Sequence, residues 1–155
     1  METPQADIFD LARSNKAEEL KAALTAENVN ITDNRGSTPL LIAAYHNNAD
    51  AVKALLEAGA DPDRQDAMGN TALMGISFKG YTGIGQLLLD HGAKVDLPNG
   101  NGSTALTFAA TFGHQELIKL LLARGANKML RDRSGKNPAD YARAQGHHEA
   151  ANLLS

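Results

Sequence analysis

The chain has 155 residues, enough for one ordinary domain and too few for two, and its 43% hydrophobic and 21% charged content excludes a disordered or collagen-like polymer. Four Phe, three Tyr and no Trp leave the core to Leu, Ala, Ile and Val, which favours tightly packed helices. The net charge of −3 conceals an asymmetry: residues 1–66 hold 12 Asp/Glu against 6 Lys/Arg, and residues 67–155 hold 6 against 9. Such a dipolar chain can steer a charged partner, but it lacks the basic excess of a nucleic-acid binder. The absence of Cys excludes disulfides, thiolate metal sites and a thiol nucleophile.

The opening METPQADIFDLARSNK is acidic and broken by charge, unlike the basic flank and apolar run of a secretory signal. No apolar stretch approaches the ~20 residues of a membrane span. Cytoplasmic location without membrane insertion is expected, or a periplasmic one if a signal peptide was removed. Residues 7–30, DIFDLARSNKAEELKAALTAENVN, read as a capping helix pair whose outer face is kept wet by Glu18, Glu19 and Lys21.

From residue 34 onward the chain repeats every 33 residues. Gly36, Gly69, Gly102 and Gly135 share a column, as do Thr38, Thr71, Thr104 and Asn137, then Leu40, Leu73, Leu106 and Ala139. Further on come Asn47, Gly80, Gly113 and Gly146, the Leu pairs 55/56, 88/89 and 121/122, and Gly59, Gly92 and Gly125. Internal periodicity of this length means stacked supersecondary units. In STPLLIAAYH, Thr38 can cap a helix, Pro39 suits its first position, and Ala43 and Ala44 permit close helix approach. The Asn47 column tolerates left-handed backbone and reverses the chain into a second helix with a leucine stripe. Gly59, Gly92 and Gly125 end that helix. An Asp or Asn (Asp66, Asn99, Asp132) then precedes a Gly by three residues, the chemistry of a tight turn.

These rows resemble ankyrin repeats. DNRGSTPLLIAA, DAMGNTALMGIS and NGNGSTALTFAA are similar to the family's turn and first helix, and ALLEAGADPD, LLLDHGAKVD and LLLARGANKM to the end of its second helix. The resemblance implies an all-α ankyrin solenoid of about five helix-turn-helix units joined by β-hairpin-like loops, with terminal units as caps. One domain, 1–155, would comprise an N-terminal capping unit at 7–33, full repeats at 34–66, 67–99 and 100–132, and a C-terminal capping unit at 133–155. In that last row Asp140, Arg143, Gln145, His147, His148 and Glu149 replace the more apolar residues of interior rows. Polar caps at both ends favour a monomer.

The sequence departs from the family pattern in two respects. The His that normally follows T-P-L is replaced by Leu41, Met74, Thr107 and Asp140, which puts in doubt the hydrogen-bond network it provides between hairpins. Gly75 and Gly85 stand where neighbouring rows carry Ile42 or Phe108 and Val52 or Ile118. Each costs about 1 kcal/mol in helix propensity, so either residues 67–99 are soft or large neighbours such as Phe108 fill the space.

Catalytic and cofactor chemistry finds no foothold. Gly100, Gly102 and Ala105 satisfy G-x-G-x-x-A, but the same columns make the turn in other rows and no ribose-binding acid follows. Gly80, Gly83 and Gly85 lack the Lys and Ser/Thr of a phosphate loop. Adjacent His147 and His148 point about 100° apart on a helix and cannot chelate together. His114 and His147 occupy a structural column of the repeat, and His91 sits at a helix end. Ser77, Ser103 and Ser134 lack a nucleophile elbow, and Asp61, Asp63 and Asp66 lie along a hairpin stem. No enzyme activity, cofactor or metal is expected.

In the ankyrin architecture the hairpin tips and first helices form a concave surface, and the columns that vary between rows mark it. The expected protein-binding residues are Arg35, Met68, Asn70, Asn101 and Arg133 at the tips, with Tyr45, His46, Phe78, Lys79 and Phe112 past the small residues of the first helices. Tyr45 and Phe78 are one period apart and should stand in line, with Phe112 one position further round; packing across neighbouring helices is the competing role. Lys128, Arg131, Arg133, Lys136 and Arg143 form either an edge for an acidic partner or a solvated cap. The expectation is a non-enzymatic adaptor or inhibitor that binds a protein partner of undetermined identity. Two alternatives stand beside it. TALMGISFKGYTGIGQLLLDHGA and TALTFAATFGHQELIKLLLARGA resemble small bacterial ankyrin proteins, some encoded beside catalases or toxins, which implies an accessory or immunity role. The other is a regulatory subunit or fragment of an enzyme.

Overall fold

A computed structural model describes residues 7–155; residues 1–6, part of the N-terminal segment read above, lie outside the described residues. Each repeat pattern folds as a pair of short helices. The pairs are α1 (Ile8–Arg13) with α2 (Ala17–Ala23), α3 (Pro39–Tyr45) with α4 (Ala49–Glu57), α5 (Ala72–Lys79) with α6 (Thr82–Asp90), α7 (Ala105–Thr111) with α8 (Gln115–Ala123), and α9 (Pro138–Ala144) with α10 (His148–Leu153). Odd-numbered helices pack on one another in succession and even-numbered helices do the same, so the stack has two layers. The all-α expectation is met: no strand occurs among the described residues.

Local chemistry sets the helix ends. Thr38, Thr71, Thr104 and Asn137 each accept a hydrogen bond from the N–H three residues on, which satisfies a donor the helix cannot. In α7 and α9 the N3 side chain returns the favour: Thr107 and Asp140 accept from the N–H of Thr104 and Asn137. These are two of the positions where the family's His is missing. Within each pair the chain reverses through a left-handed residue, with φ of 58° at both Asn15 and Asn47. Gly80 does so at φ 84°, and there its lack of a side chain is required twice over, because a Cβ would sit 2.7 Å from Nδ1 of His114.

The core is continuous from one end of the stack to the other. Leu20, Leu55, Leu88 and Leu121 are fully buried in the even-numbered layer or at its junction with the other layer, and Leu40, Leu73 and Leu106 in the odd-numbered layer. Burying each is worth about 1.5–3 kcal/mol. The second members of the leucine pairs differ: Leu56 is buried, whereas Leu89 and Leu122 are half-buried. Ser77, wholly buried, donates its hydroxyl to the Leu73 carbonyl at 2.6 Å.

The two unusual glycines of α5 and α6 have opposite surroundings. A Cβ on Gly85 would lie 3.1 Å from both Ile76 Cδ1 and Leu117 Cδ1, so those side chains already occupy the space; Phe108, expected there, does not. A Cβ on Gly75 would meet nothing within 4 Å.

Candidate functional site

Four hairpin-like loops project from the stack, and one recurring carboxylate or amide shapes each. Asp33 Oδ1 accepts from the N–H of Arg35 and of Ser37, both at 2.9 Å, and Asp66 does the same for Met68 and Asn70. Asn99 and Asp132 repeat the arrangement at 99–103 and 132–136. Successive tips are tied together by backbone bonds: Ala67 N–H to Arg35 O, Gly100 N–H to Met68 O, and Arg133 N–H to Asn101 O, at 3.0–3.1 Å. The approach is close, since a Cβ on Gly69 would stand 2.8 Å from the Gly100 nitrogen. Side chains add to it: Asn99 Nδ2 donates to Asn70 Oδ1, and Gln65 Nε2 donates to the carbonyls of Gly69 and Pro98. The hairpins are thus joined without the missing His.

With their backbones engaged, the tip residues turn side chains outward, and Met68 is 69% exposed. Between these tips and the odd-numbered helices runs an open groove of about 1030 Å³. Leu41, Ile42 and Tyr45 of α3, Met74, Gly75 and Phe78 of α5, and Phe108 of α7 line it, with Arg35 and Met68 from the tips. Alternating layers explain the choice of face, because the other side of these helices is buried against α4, α6 and α8.

Of the ten residues singled out from the sequence, Arg35, Tyr45, His46, Met68, Asn70 and Phe78 line this groove. Asn70 also supports the next hairpin through its amide oxygen. Lys79 extends its ammonium over the Tyr45 ring, 4.6 Å from the centroid. Phe112, the C-cap of α7, packs edge-to-face on Phe78 with centroids 4.6 Å apart and planes at 74°. Phe78 and Phe112 thus form a pair, and Lys79 covers part of Tyr45. Each of the three rings stays 41–47% exposed. Asn101 and Arg133 belong to later tips, outside the groove. Sequence reasoning missed Ile42, Gly75 and Phe108 as groove residues; they share one 33-residue column that varies from row to row, which was the available signal.

The basic C-terminal edge divides in two. Lys128 donates to the Ser155 carbonyl, Arg131 to the Gly135 carbonyl, and Arg143 pairs with Asp140 at 2.7 Å, all three engaging acceptors of the cap. Arg133 and Lys136 have no ion-pair partner among the described residues, although Lys136 lies 5.7 Å from the Tyr141 ring centroid. Partial burial works against the Asp132 carboxylate, yet hydrogen bonds from the Tyr141 hydroxyl and the N–H groups of Lys136 and Ser134 hold it below the ordinary aspartate range. The same Asp132 bond, with burial, raises the Tyr141 phenol. The Asn137 N–H, then Arg143 and Arg131, lower Asp140 against partial desolvation. Among the described residues no three His, Asp or Glu side chains converge as metal ligands, and no helix is long and apolar enough to cross a membrane.

The repeated pair of short helices, the hairpin tips and the open groove define a stacked-repeat protein. The family model for ankyrin repeats (3 copies) matches residues 8–99 and 76–155, and the chain belongs to that family. Ankyrin repeats are generally protein–protein interaction modules and generally non-enzymatic. Human ankyrin repeat and SAM domain-containing protein 4B is 39% identical over 61 residues, which are 39% of this chain and 15% of that protein. The mouse protein of the same name is 38% identical over 61 residues, 39% of this chain and 14% of its own length. The aligned stretch thus spans about a seventh of the curated relatives.

Proposed function

We propose that this chain is a non-enzymatic adaptor or inhibitor that holds one protein partner along the groove of its odd-numbered helices. The observation that carries the reading is the aromatic edge. Phe78 lines the groove and is buttressed at 4.6 Å by Phe112 from the next repeat, both rings remain exposed, and Tyr45 lines the groove on the repeat before them. Large rings held in place bury much area on binding at little entropic cost, and such residues dominate protein interfaces. The groove is open along its length, which suits a protein surface and does not enclose a small substrate away from water.

The test is quantitative capture from the native cell with the full chain and with a Tyr45→Ala, Phe78→Ala, Phe112→Ala variant whose helical circular dichroism matches the parent. A protein retained by the parent should bind the variant at least about 30-fold more weakly, the loss of two or more hot-spot contacts. Equal retention would end the aromatic reading, and turnover by the purified chain alone would end the non-enzymatic one.

A further inference from the structure

Asparagine is followed by glycine at two places in the chain, Asn99–Gly100 and Asn101–Gly102, and both fall in one hairpin-like tip. An Asn-Gly bond is chemically labile, because glycine has no side chain to keep its backbone nitrogen away from the asparagine amide carbon. Asn99 occupies the column that carries Asp33, Asp66 and Asp132 in the other rows, and Asn101 stands in the column of Arg35 and Met68.

Tertiary structure treats the two pairs differently. At Asn99–Gly100 both groups that would have to meet are held by other partners. Asn99 Oδ1 accepts from the N–H of Asn101 and of Ser103, both at 3.0 Å, and Asn99 Nδ2 donates to Asn70 Oδ1 at 2.9 Å. The Gly100 N–H donates to the Met68 carbonyl of the preceding tip at 3.1 Å. Turning the Asn99 side chain onto Gly100 therefore breaks its own turn and a joint between two repeats. Asn101 is exposed, and its side chain has no hydrogen-bond partner among the described residues. The Gly102 N–H bonds within its own turn, to the Asn99 carbonyl at 2.9 Å. A larger residue that would shield this nitrogen is not tolerated, since φ at Gly102 is 77° and a Cβ there would lie 3.2 Å from Asp132 Cα. Close stacking of the tips thus requires the glycine that leaves Asn101 reactive.

We propose that Asn101 is a self-modification site, which loses its side-chain amide without an enzyme while the fold protects Asn99. The Gly102 backbone nitrogen gives up its proton and attacks Asn101 Cγ; the Cγ–Nδ2 bond breaks, and ammonia leaves with that proton. Water then opens the cyclic imide, so a water is consumed for each ammonia released and no oxidation state changes. Opening at Cγ gives aspartate. Opening at the main-chain carbonyl gives isoaspartate, whose backbone runs through Cγ and is longer by one carbon. Either product sets a carboxylate on the tip beside Arg133, which has no ion-pair partner among the described residues and whose N–H bonds to the Asn101 carbonyl at 3.0 Å. The longer backbone displaces that carbonyl and loosens the joint between this tip and the last one.

The test ages the full chain in mildly alkaline buffer made with heavy-oxygen water, which marks only the sites hydrolysed during ageing, and maps the label by peptide fragmentation. In the folded chain Asn101 should react at least about tenfold faster than Asn99, because Asn99 must first give up its side-chain bonds and the Gly100 bond. In urea the two sites, both followed by glycine, should react within about threefold of each other. Asn101→Gln should remove the reaction at 101 and leave Asn99 protected. The Arg133 amide should exchange faster in the purified isoaspartate form than in Asn101→Asp, which carries the same charge on a normal backbone. Loss at Asn99 as fast as at Asn101 in the folded chain, or loss at either site in urea alone, would overturn the assignment. Equal Arg133 exchange in the two forms would overturn the loosened joint.

Discussion

Nε2 of His114, at the start of α8, lies 3.0 Å from the carbonyl oxygen of Phe78, and the same imidazole covers Gly80 so closely that no Cβ could stand there. The histidine of one repeat therefore fixes the turn of the repeat before it, together with the end of the helix that bears an exposed aromatic. Asn48 plays the matching part earlier in the stack, donating to the carbonyls of Ala12 and Arg13 at 2.9 and 2.8 Å. His114→Ala is expected to lose about 1 kcal/mol with the hydrogen bond, and His114→Asn to recover part of it. Gly80→Ala should lose more, about 1–3 kcal/mol, because φ 84° and the clash with the ring act together. Thermal or urea unfolding of the three variants checks the order.

The two helical glycines should answer differently to the same substitution. Gly75→Ala places its methyl in open space and is expected to stabilise by about 0.5–1 kcal/mol. Gly85→Ala gains the same propensity but pushes against Ile76 and Leu117, so its net effect should be neutral or destabilising by about 1 kcal/mol. Urea midpoints at unchanged slope give the comparison. Amide exchange over 67–99 tests the softness expected from these residues, and faster exchange there should slow in Gly75→Ala.

Leu88 and Leu121 are wholly buried at corresponding positions of α6 and α8, so Leu88→Ala and Leu121→Ala should each cost about 2–5 kcal/mol. Leu122→Ala, next to the latter but half-buried, should cost clearly less. Chemical denaturation distinguishes the two leucines of the pair.

The pair Asp132 and Tyr141 predicts a pH dependence of the last repeat. Asp132 and Asp140 sit below the ordinary value of 3.8 when folded, so their stabilisation is present above that value and is lost as pH falls through the lowered folded values. Tyr141 sits above its ordinary 10.0, so its contribution is present below that value and is lost as pH rises through the raised one. Tyr141→Phe should lower Tm by a few degrees between these limits, with the difference from the parent shrinking at both extremes. Thermal melts between about pH 3 and pH 11 test this.

Much of this architecture is legible in sequence because it is built from local rules repeated at a fixed spacing. A Thr before a helix, a left-handed Asn47 or Gly80 within a turn, an Asp three residues before a Gly, and a leucine stripe each act over a few residues, and the period multiplies the signal. The resemblance to ankyrin repeats rests on those features. The variable columns likewise pointed to the groove side through Tyr45, Phe78 and Met68.

Tertiary structure decided what fills the space beside each residue, which no local pattern encodes. Gly75 and Gly85 are indistinguishable as letters in one row, yet Leu117, 32 residues after Gly85, closes one gap while nothing closes the other. The same holds for the aromatics: Phe112 supports Phe78 from the next repeat, and Lys79 reaches back across Tyr45. Period and caps determine which face of a helix a residue occupies. Whether that residue meets a neighbour or open water depends on side chains brought alongside by stacking, whose sizes vary independently from row to row.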